Sequence, residues 1–183
     1  MKTDIFAFTR GRQQPQKGSI EELMDRFEQD LAPEIAENTS VEGARAVSLE
    51  CDREYPGAEF LPEDEVRQKL VITRQGEVSL RSYTWNKGHR RGGIGRMLDT
   101  AVSPVAVKEI FRMLDVWNYG RAAQTWQPQK DFGTWTLRIL QGNDHQQMLR
   151  GNLTGASAAG WDLSDFIRSR IPVHGLYLFD ERL

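Results

Sequence analysis

The stretch KLVITRQGEVSLRSYTW, residues 69–85, decides the fold that we expect for this chain. It contains two β-rich runs, 69–74 and 77–85, and the pair Gln75-Gly76 separates them. A glycine in a short polar break between two such runs is typical of a β-hairpin. We therefore predict an antiparallel pair of strands here.

A second hairpin is expected further along the chain. Residues 134–139 alternate between polar and apolar side chains, which places the apolar ones on one face of a strand. The polar residues 141–144 turn the chain, and residues 145–153 form the expected returning strand. The two hairpins together predict an antiparallel sheet.

Each hairpin is followed by a helix whose ends are marked in the sequence. Ser103 is the expected N-cap of the first helix, with Pro104 at its first helical position. Asp162 is the expected N-cap of the last helix, Pro172 ends it, and a short strand is expected at 176–179. Because hairpins rather than crossovers join the strands, we predict an α+β fold in the order ββαββα, with helices on one face of the sheet.

The first third of the chain differs in charge from the rest. Residues 1–66 hold 7 basic and 16 acidic side chains, whereas residues 67–183 hold 17 basic and 10 acidic ones. A capping box predicts an acidic helix at about 19–36, and a partial alternation predicts a strand at about 44–51. The acidic connector 61–65 marks the expected boundary between an N-terminal part and an α+β domain, packed as one unit.

The composition argues against several classes of protein. Cys51 is the single cysteine, which excludes an internal disulfide framework and a multi-cysteine metal site. The three histidines, His89, His145 and His174, are far apart, so we predict no metal and no cofactor. Without a long apolar run or a signal peptide, the chain is expected to be cytoplasmic and to have no membrane partner. No catalytic residues are predicted, since an enzyme would need a pocket built from residues distant in sequence.

The segment 87–96 combines glycines with four fixed positive charges and no acid. Glycines allow close backbone approach, and arginines pair with phosphate oxygens, so this segment suggests a nucleic-acid or phosphate contact. Trp85 adjoins it and could stack on a base. The alternative is a solvated connection between hairpin and helix. The candidate contact residues are Trp85, Lys87, His89, Arg90, Arg91 and Arg96.

A second candidate surface lies on the acidic face of the first helix. Glu21, Asp25, Glu28 and Asp30 share the side opposite its apolar stripe. These carboxylates would suit a basic protein partner, whereas the alternative is that the acidic and basic parts complement each other within the fold. The sequence leaves the oligomeric state open.

A set of glycine, aromatic and aliphatic positions recurs through the C-terminal two-thirds of the chain: Gly133, Trp135, Leu137, Ile139 and Gly142, then 150–153, then Leu163, Ser164, Ile167 and Arg168, and finally Leu176, Phe179 and Asp180. In these positions the chain resembles a group of uncharacterised small bacterial proteins. The resemblance implies an α+β fold and a bacterial origin, and it brings no active-site residues. With the uneven charge, it suggests a non-enzymatic protein-binding or regulatory module, such as an immunity protein or antitoxin. The alternative is a nucleic-acid or phosphate-binding protein that uses 87–96.

Overall fold

A computed structural model of the chain describes residues 19–28, 40–85, 93–119, 127–143 and 145–182. The elements in chain order are α1 (Ile20–Glu28), β1 (Ala46–Asp52), β2 (Glu65–Thr73), β3 (Glu77–Thr84), β4 (Ile94–Ala101), α2 (Pro104–Tyr119), β5 (Thr134–Leu140), β6 (Gln146–Asn152), β7 (Ser157–Ala158), β8 (Trp161–Asp162) and α3 (Leu163–Arg168). Six strands form one antiparallel sheet in the order β4-β3-β2-β1-β5-β6, and β7 pairs with β8. The protein is therefore α+β.

Both hairpins expected from the sequence are present. In the first, β2 pairs with β3, and Gly76 follows the turn with a φ of 97°. A Cβ atom at Gly76 would lie 2.5 Å from the carbonyl oxygen of Val102, so a glycine is required by both backbone conformation and space. In the second hairpin, β5 pairs with β6, with Leu137 opposite Leu149.

The strand before the first hairpin occupies the middle of the sheet. Strand β1 lies between β2 and β5, and its Leu49 is opposite both Leu70 and Leu137. Strands from both sides of residue 66 therefore share one sheet, and the division at that residue falls within β2.

The two faces of the sheet carry separate apolar clusters. The larger cluster joins Leu49 and Leu70 to α2, to α3 and to the C-terminal segment. On the opposite face, Val71 packs with α1 residues such as Phe27. The two helices expected after the hairpins, α2 and α3, therefore lie on one face of the sheet, whereas the apolar stripe of α1 covers the other face. Residues 29–36, the remainder of the predicted first helix, lie outside the described residues.

The order of elements also differs from the prediction ββαββα. Strand β4 occupies 94–101, where the sequence suggested the end of a loop and a direct entry into a helix, and it pairs with β3. It is an edge strand, and both of its faces are largely exposed. Because neither face is buried, its sequence lacks the alternation that identifies a half-buried strand.

The helix starts agree with the sequence. The Ser103 hydroxyl accepts a hydrogen bond from the backbone N–H of Ala106 at 3.2 Å, and Asp162 accepts one from Asp165 at 3.0 Å. The strand expected at 176–179 is not formed, since this segment is irregular and ends in a single bridge between Thr154 and Asp180.

Candidate binding site at one end of the sheet

Three strand ends meet at one end of the sheet. The register places Glu65, at the start of β2, opposite Thr84, at the end of β3, and it places Tyr83 opposite Ile94, at the start of β4. Trp85 follows β3 directly, and its backbone N–H donates to the carbonyl of Asp64 at 2.8 Å. This end of the sheet therefore holds Trp85 together with the first residues of β4.

Arg96 of β4 uses its guanidinium group within the chain. Its Nε donates to Oε1 of Glu65 at 2.6 Å, and its Nη2 donates to Oε2 at 2.7 Å, which is the two-point geometry of an arginine–carboxylate pair. The carbonyls of His174 and Gly175 accept further bonds at 2.7 and 2.9 Å. The hydrogen bond with Glu65 is the main cause that raises the pKa of Arg96. Arg96 thus holds β4 to the C-terminal segment, and its contact with an anion stays a prediction.

Glu65 is the centre of this polar group. Besides Arg96, Gln68 donates to its Oε2 and Ser82 donates to its Oε1, each at 2.8 Å. Burial alone would raise the pKa of Glu65, but the hydrogen bonds from Arg96, Ser82 and Gln68 outweigh it and hold the pKa below its ordinary value. Gln68 also accepts from the backbone N–H of Tyr177 at 2.9 Å. We call Glu65, Gln68, Ser82 and Arg96 the polar corner.

An aromatic pocket of about 240 Å³ adjoins the polar corner. Its lining residues are Glu54, Tyr55, Pro56, Ala58, Phe60 and Trp85. The rings of Phe60 and Trp85 have centroids 5.9 Å apart and planes inclined at 50°, so they form two walls that meet at an angle. Trp85 is half-buried, and its ring therefore combines packing with an exposed surface.

Arg53 connects the aromatic pocket to the polar corner. Its Cζ lies 5.4 Å from the ring centroid of Phe60 and 4.7 Å from that of Tyr177. Its Nη1 donates to the Tyr177 hydroxyl at 2.8 Å and to the Glu65 carbonyl at 3.2 Å. Both distances to the rings are within the range of a cation–π contact. This part of the surface therefore already holds one cation against aromatic rings.

Glu54 supplies a carboxylate to the same pocket. Burial is the main cause that raises its pKa, and Asp52 adds to the effect while Arg67 opposes it. Within the described residues, the Glu54 carboxylate makes no hydrogen bond or ion pair; only its backbone N–H does, to Asp52. The pocket thus combines aromatic walls with an acidic group that has no partner in the part of the chain that the structure describes.

A larger cleft of about 580 Å³ lies between the start of α2 and residues 168–176. The two arginines that line it have partners already. Arg168 pairs with Asp180, and Arg170 donates to Glu109 at 2.7 Å. Burial alone would raise the pKa of Asp180, but hydrogen bonds from Arg168 and Arg182 outweigh it and hold the pKa below its ordinary value. These pairs stabilise the C-terminal segment, and they occupy the charges that an anionic ligand would need.

The edge strand β4 presents apolar side chains to solvent. Ile94 is 69% exposed, Met97 62% and Leu98 39%. Asp99 accepts a bond from Arg81 at 3.0 Å, so this charge is directed at a neighbouring strand. This surface was not expected from the sequence, because no strand was predicted between the segment 87–96 and the helix that begins after Ser103.

Half of the ten predicted site residues fall outside the described residues. This applies to Lys87, His89, Arg90 and Arg91 of the basic segment and to Asp30 of the acidic face. Asp25 and Glu28 lie in α1, but their side chains are outside the described part of the structure, whereas Glu21 is exposed in the first turn. The two described members of the basic site, Trp85 and Arg96, belong to the same end of the sheet.

Sequence reasoning missed Glu54, Phe60 and Glu65. Residues 61–65 were expected to be an exposed acidic connector, yet Glu65 begins β2 and is partly buried. A β-bulge between Glu65 and Arg67 brings the Glu65 side chain to the face that carries Gln68 and Ser82. The one signal in the sequence is the density of aromatic residues and prolines between 55 and 62.

Cys51 is a structural residue. It is fully buried, and its Sγ donates to the carbonyl oxygen of Leu178 at 2.7 Å. Burial raises the pKa of this thiol well above its ordinary value. The thiolate required of a nucleophile is therefore strongly disfavoured.

Comparison with known proteins does not identify a family. No protein-family model matches the chain, and no curated protein is detectably similar to it. Among the described residues, no cluster of three or more His, Cys, Asp or Glu side chains is arranged to hold a metal ion. In the same residues, no helix has both the length and the apolar character needed to span a membrane.

Proposed function

We propose that this protein is a non-enzymatic protein-binding or regulatory module, of the immunity-protein or antitoxin type, whose partner adds a strand to the edge of the sheet at β4. The observation that carries the proposal is the open edge itself. Strand β4 has eight residues and pairs on one side with β3, while no described strand pairs with its other side. The unpaired N–H and C=O groups of such an edge form hydrogen bonds with another extended chain.

The side chains of β4 favour this function as well. Edge strands are usually protected by exposed charges, by proline or by covering segments. Here the two charged residues of the strand, Arg96 and Asp99, are bound to Glu65 and Arg81 of neighbouring strands. Both charges of the strand are therefore balanced by an ion pair. The exposed apolar residues of the edge are Ile94, Met97 and Leu98.

The exposed side chains of β4 indicate which kind of partner strand would bind there. Adjacent positions on β4 face opposite sides of the sheet, so Met97 and Leu98 offer apolar contacts on both faces. A strand that pairs there gains most if it is uncharged and apolar on both faces near its centre. We therefore expect an extended, apolar segment of a separate protein as the occupant.

The experiment compares substitutions at two positions whose side chains are similarly exposed to solvent. Met97→Lys places a charge on the edge, and Val105→Lys places one on α2, where Val105 is 67% exposed. A partner is captured from cell extract, identified by mass spectrometry, purified, and titrated against both variants by calorimetry. We expect Met97→Lys to weaken binding at least tenfold and Val105→Lys to bind like the original protein, with amide-exchange protection at 94–101 in the complex.

Three results would contradict the proposal. Equal binding by the two variants would remove β4 from the interface. A dimer of this chain that Met97→Lys dissociates would make a second copy, not a separate protein, the occupant of the edge. Binding of a nucleic acid that weakens steeply with salt and does not depend on Met97 would favour the alternative function of segment 87–96.

A further inference from the structure

The aromatic pocket lies in the most acidic part of the described chain. Between residues 50 and 65 there are seven acidic side chains and one basic one, Arg53. The acidic Glu54 lines the pocket, and Arg53 is not among the lining residues. A ligand that enters the pocket therefore meets aromatic surface and the Glu54 carboxylate together.

We propose that the pocket formed by Glu54, Tyr55, Phe60 and Trp85 is a binding site for a quaternary ammonium group. Three aromatic side chains and one carboxylate are the components with which proteins recognise such cations. The faces of aromatic rings carry partial negative charge and attract the cation, and the carboxylate contributes a full charge. This site is separate from the edge of β4, and it does not rest on the function proposed above.

The composition of the pocket favours a cation over an anion. Stacking on Trp85 could equally serve a nucleic-acid base, but a base carries a phosphate backbone with it. The phosphate would lie beside the Glu54 carboxylate, where like charges repel. A positively charged ligand gains from the same surroundings.

The size of the pocket restricts the ligand to a small group. Pockets for drug-sized molecules usually have volumes of about 300–1,000 Å³. The aromatic pocket has about 240 Å³ and therefore takes a single head group. Phe60 and Trp85, inclined at 50°, contact two sides of a roughly spherical group better than a flat one.

The strength with which a cation is hydrated decides which type of cation suits the pocket. A primary ammonium donates three hydrogen bonds and is strongly hydrated, so it needs several acceptors when it leaves water. The lining side chains offer the Glu54 carboxylate and the Tyr55 hydroxyl as acceptors, and the remaining surface is apolar. A trimethylammonium group donates no hydrogen bonds and loses little on entering such a pocket. Choline-like head groups and trimethyl-lysine share this chemistry.

The test uses choline and its neutral analogue 3,3-dimethylbutan-1-ol, in which carbon replaces the charged nitrogen. Each compound is titrated at millimolar concentration into the full-length protein, and the indole N–H signals are followed by NMR. We expect choline to shift the Trp85 signal and to bind at least tenfold more tightly than the neutral analogue. A trimethyl-lysine peptide is titrated in parallel, since tighter binding of the peptide would make a protein, and not a free small molecule, the source of the cation.

Matched variants assign the binding to the pocket. Glu54→Gln removes the charge of an exposed residue and should weaken choline binding at least threefold, whereas Glu63→Gln, an exposed acid outside the lining, should leave it unchanged. Trp85→Leu should weaken binding at least tenfold, and Trp161→Leu, at a tryptophan that is 62% exposed elsewhere, should have no effect. Equal affinity for choline and its neutral analogue would overturn the proposal, as would equal effects of Glu54→Gln and Glu63→Gln or no binding at all.

Discussion

The two edge strands of the sheet, β6 and β4, are held to the molecule by different interactions. At β6, Gly151 lies against the ring of Trp135, and that ring packs on Phe179 with centroids 5.1 Å apart. At β4, the main attachment outside the strand ladder is the ion pair between Arg96 and Glu65. One edge is therefore fixed by close aromatic packing and the other by charge.

We propose that the two edge strands differ in role, with one contributing to stability and the other to binding. Close packing at β6 is sensitive to small changes of volume and leaves little apolar surface exposed. Strand β4 is held by the ion pair between Arg96 and Glu65, so its attachment does not require Ile94 and Met97 to be buried. Both side chains stay exposed to solvent. We infer that the β6 side carries more of the folding free energy and that the β4 side carries the interaction surface.

The largest effect is expected from Gly151→Ala. A Cβ atom at Gly151 would lie 2.2 Å from Cζ2 of Trp135, which is 4% exposed and cannot move without displacing its neighbours. We expect a loss of about 3 kcal/mol in the free energy of unfolding, measured by urea denaturation. Gly142→Ala in the same hairpin is the control, since nothing lies within 4 Å of its Cβ position. Similar losses in the two variants would remove Trp135 as the cause.

A smaller and pH-dependent effect is expected from Glu65→Gln. At pH 7 this variant loses the charge of the ion pair with Arg96, which is partly exposed, so we expect a destabilisation of about 1–2 kcal/mol. Hydrogen bonds, chiefly from Arg96, keep the pKa of Glu65 below its ordinary value despite burial. The unfolded state therefore takes up the proton first as the pH falls.

The sign of the pH dependence follows from this order of protonation. The contribution of Glu65 to stability is fully present above the ordinary carboxylate pKa of about 4.3, and it is lost as the pH falls through the lower pKa of the folded state. Urea denaturation between pH 7 and pH 3 should show the difference between the original protein and Glu65→Gln shrinking. Glu59→Gln, at an exposed position, is the control variant. A difference that grows toward low pH would contradict the assignment.

The smallest effect on stability is expected from Met97→Lys. This side chain is 62% exposed, so replacing it should change the free energy of unfolding by less than about 0.5 kcal/mol. Thermal and urea unfolding would measure it. An unchanged stability together with a loss of partner binding would show that Met97 contributes to binding and not to folding. A loss of more than about 1 kcal/mol would instead assign Met97 to the folding of β4.

The sequence predicted the hairpins and the helices for clear physical reasons. The buried face of α2, with Val107, Ile110, Phe111, Leu114 and Trp117, repeats with the helical period. Gly76 marks the turn between β2 and β3. Strand β4 was missed because both faces of an edge strand are exposed, so no alternation reveals it. The polar corner was missed because a bulge at the start of β2 decides which way Glu65 points.

The amino-acid sequence by itself determined the periodic elements, since hydrophobic period, caps and turn glycines act over a few residues. Only the tertiary structure decided which charges are free. The sequence assigns Arg96 to a basic segment, but the register of β3 and β4 brings it to Glu65, which takes up its hydrogen-bonding groups. The same strand ends place Phe60 beside Trp85, 25 residues further along the chain. Such contacts depend on strand register and bulges, which are set by the packing of the whole sheet and not by local sequence.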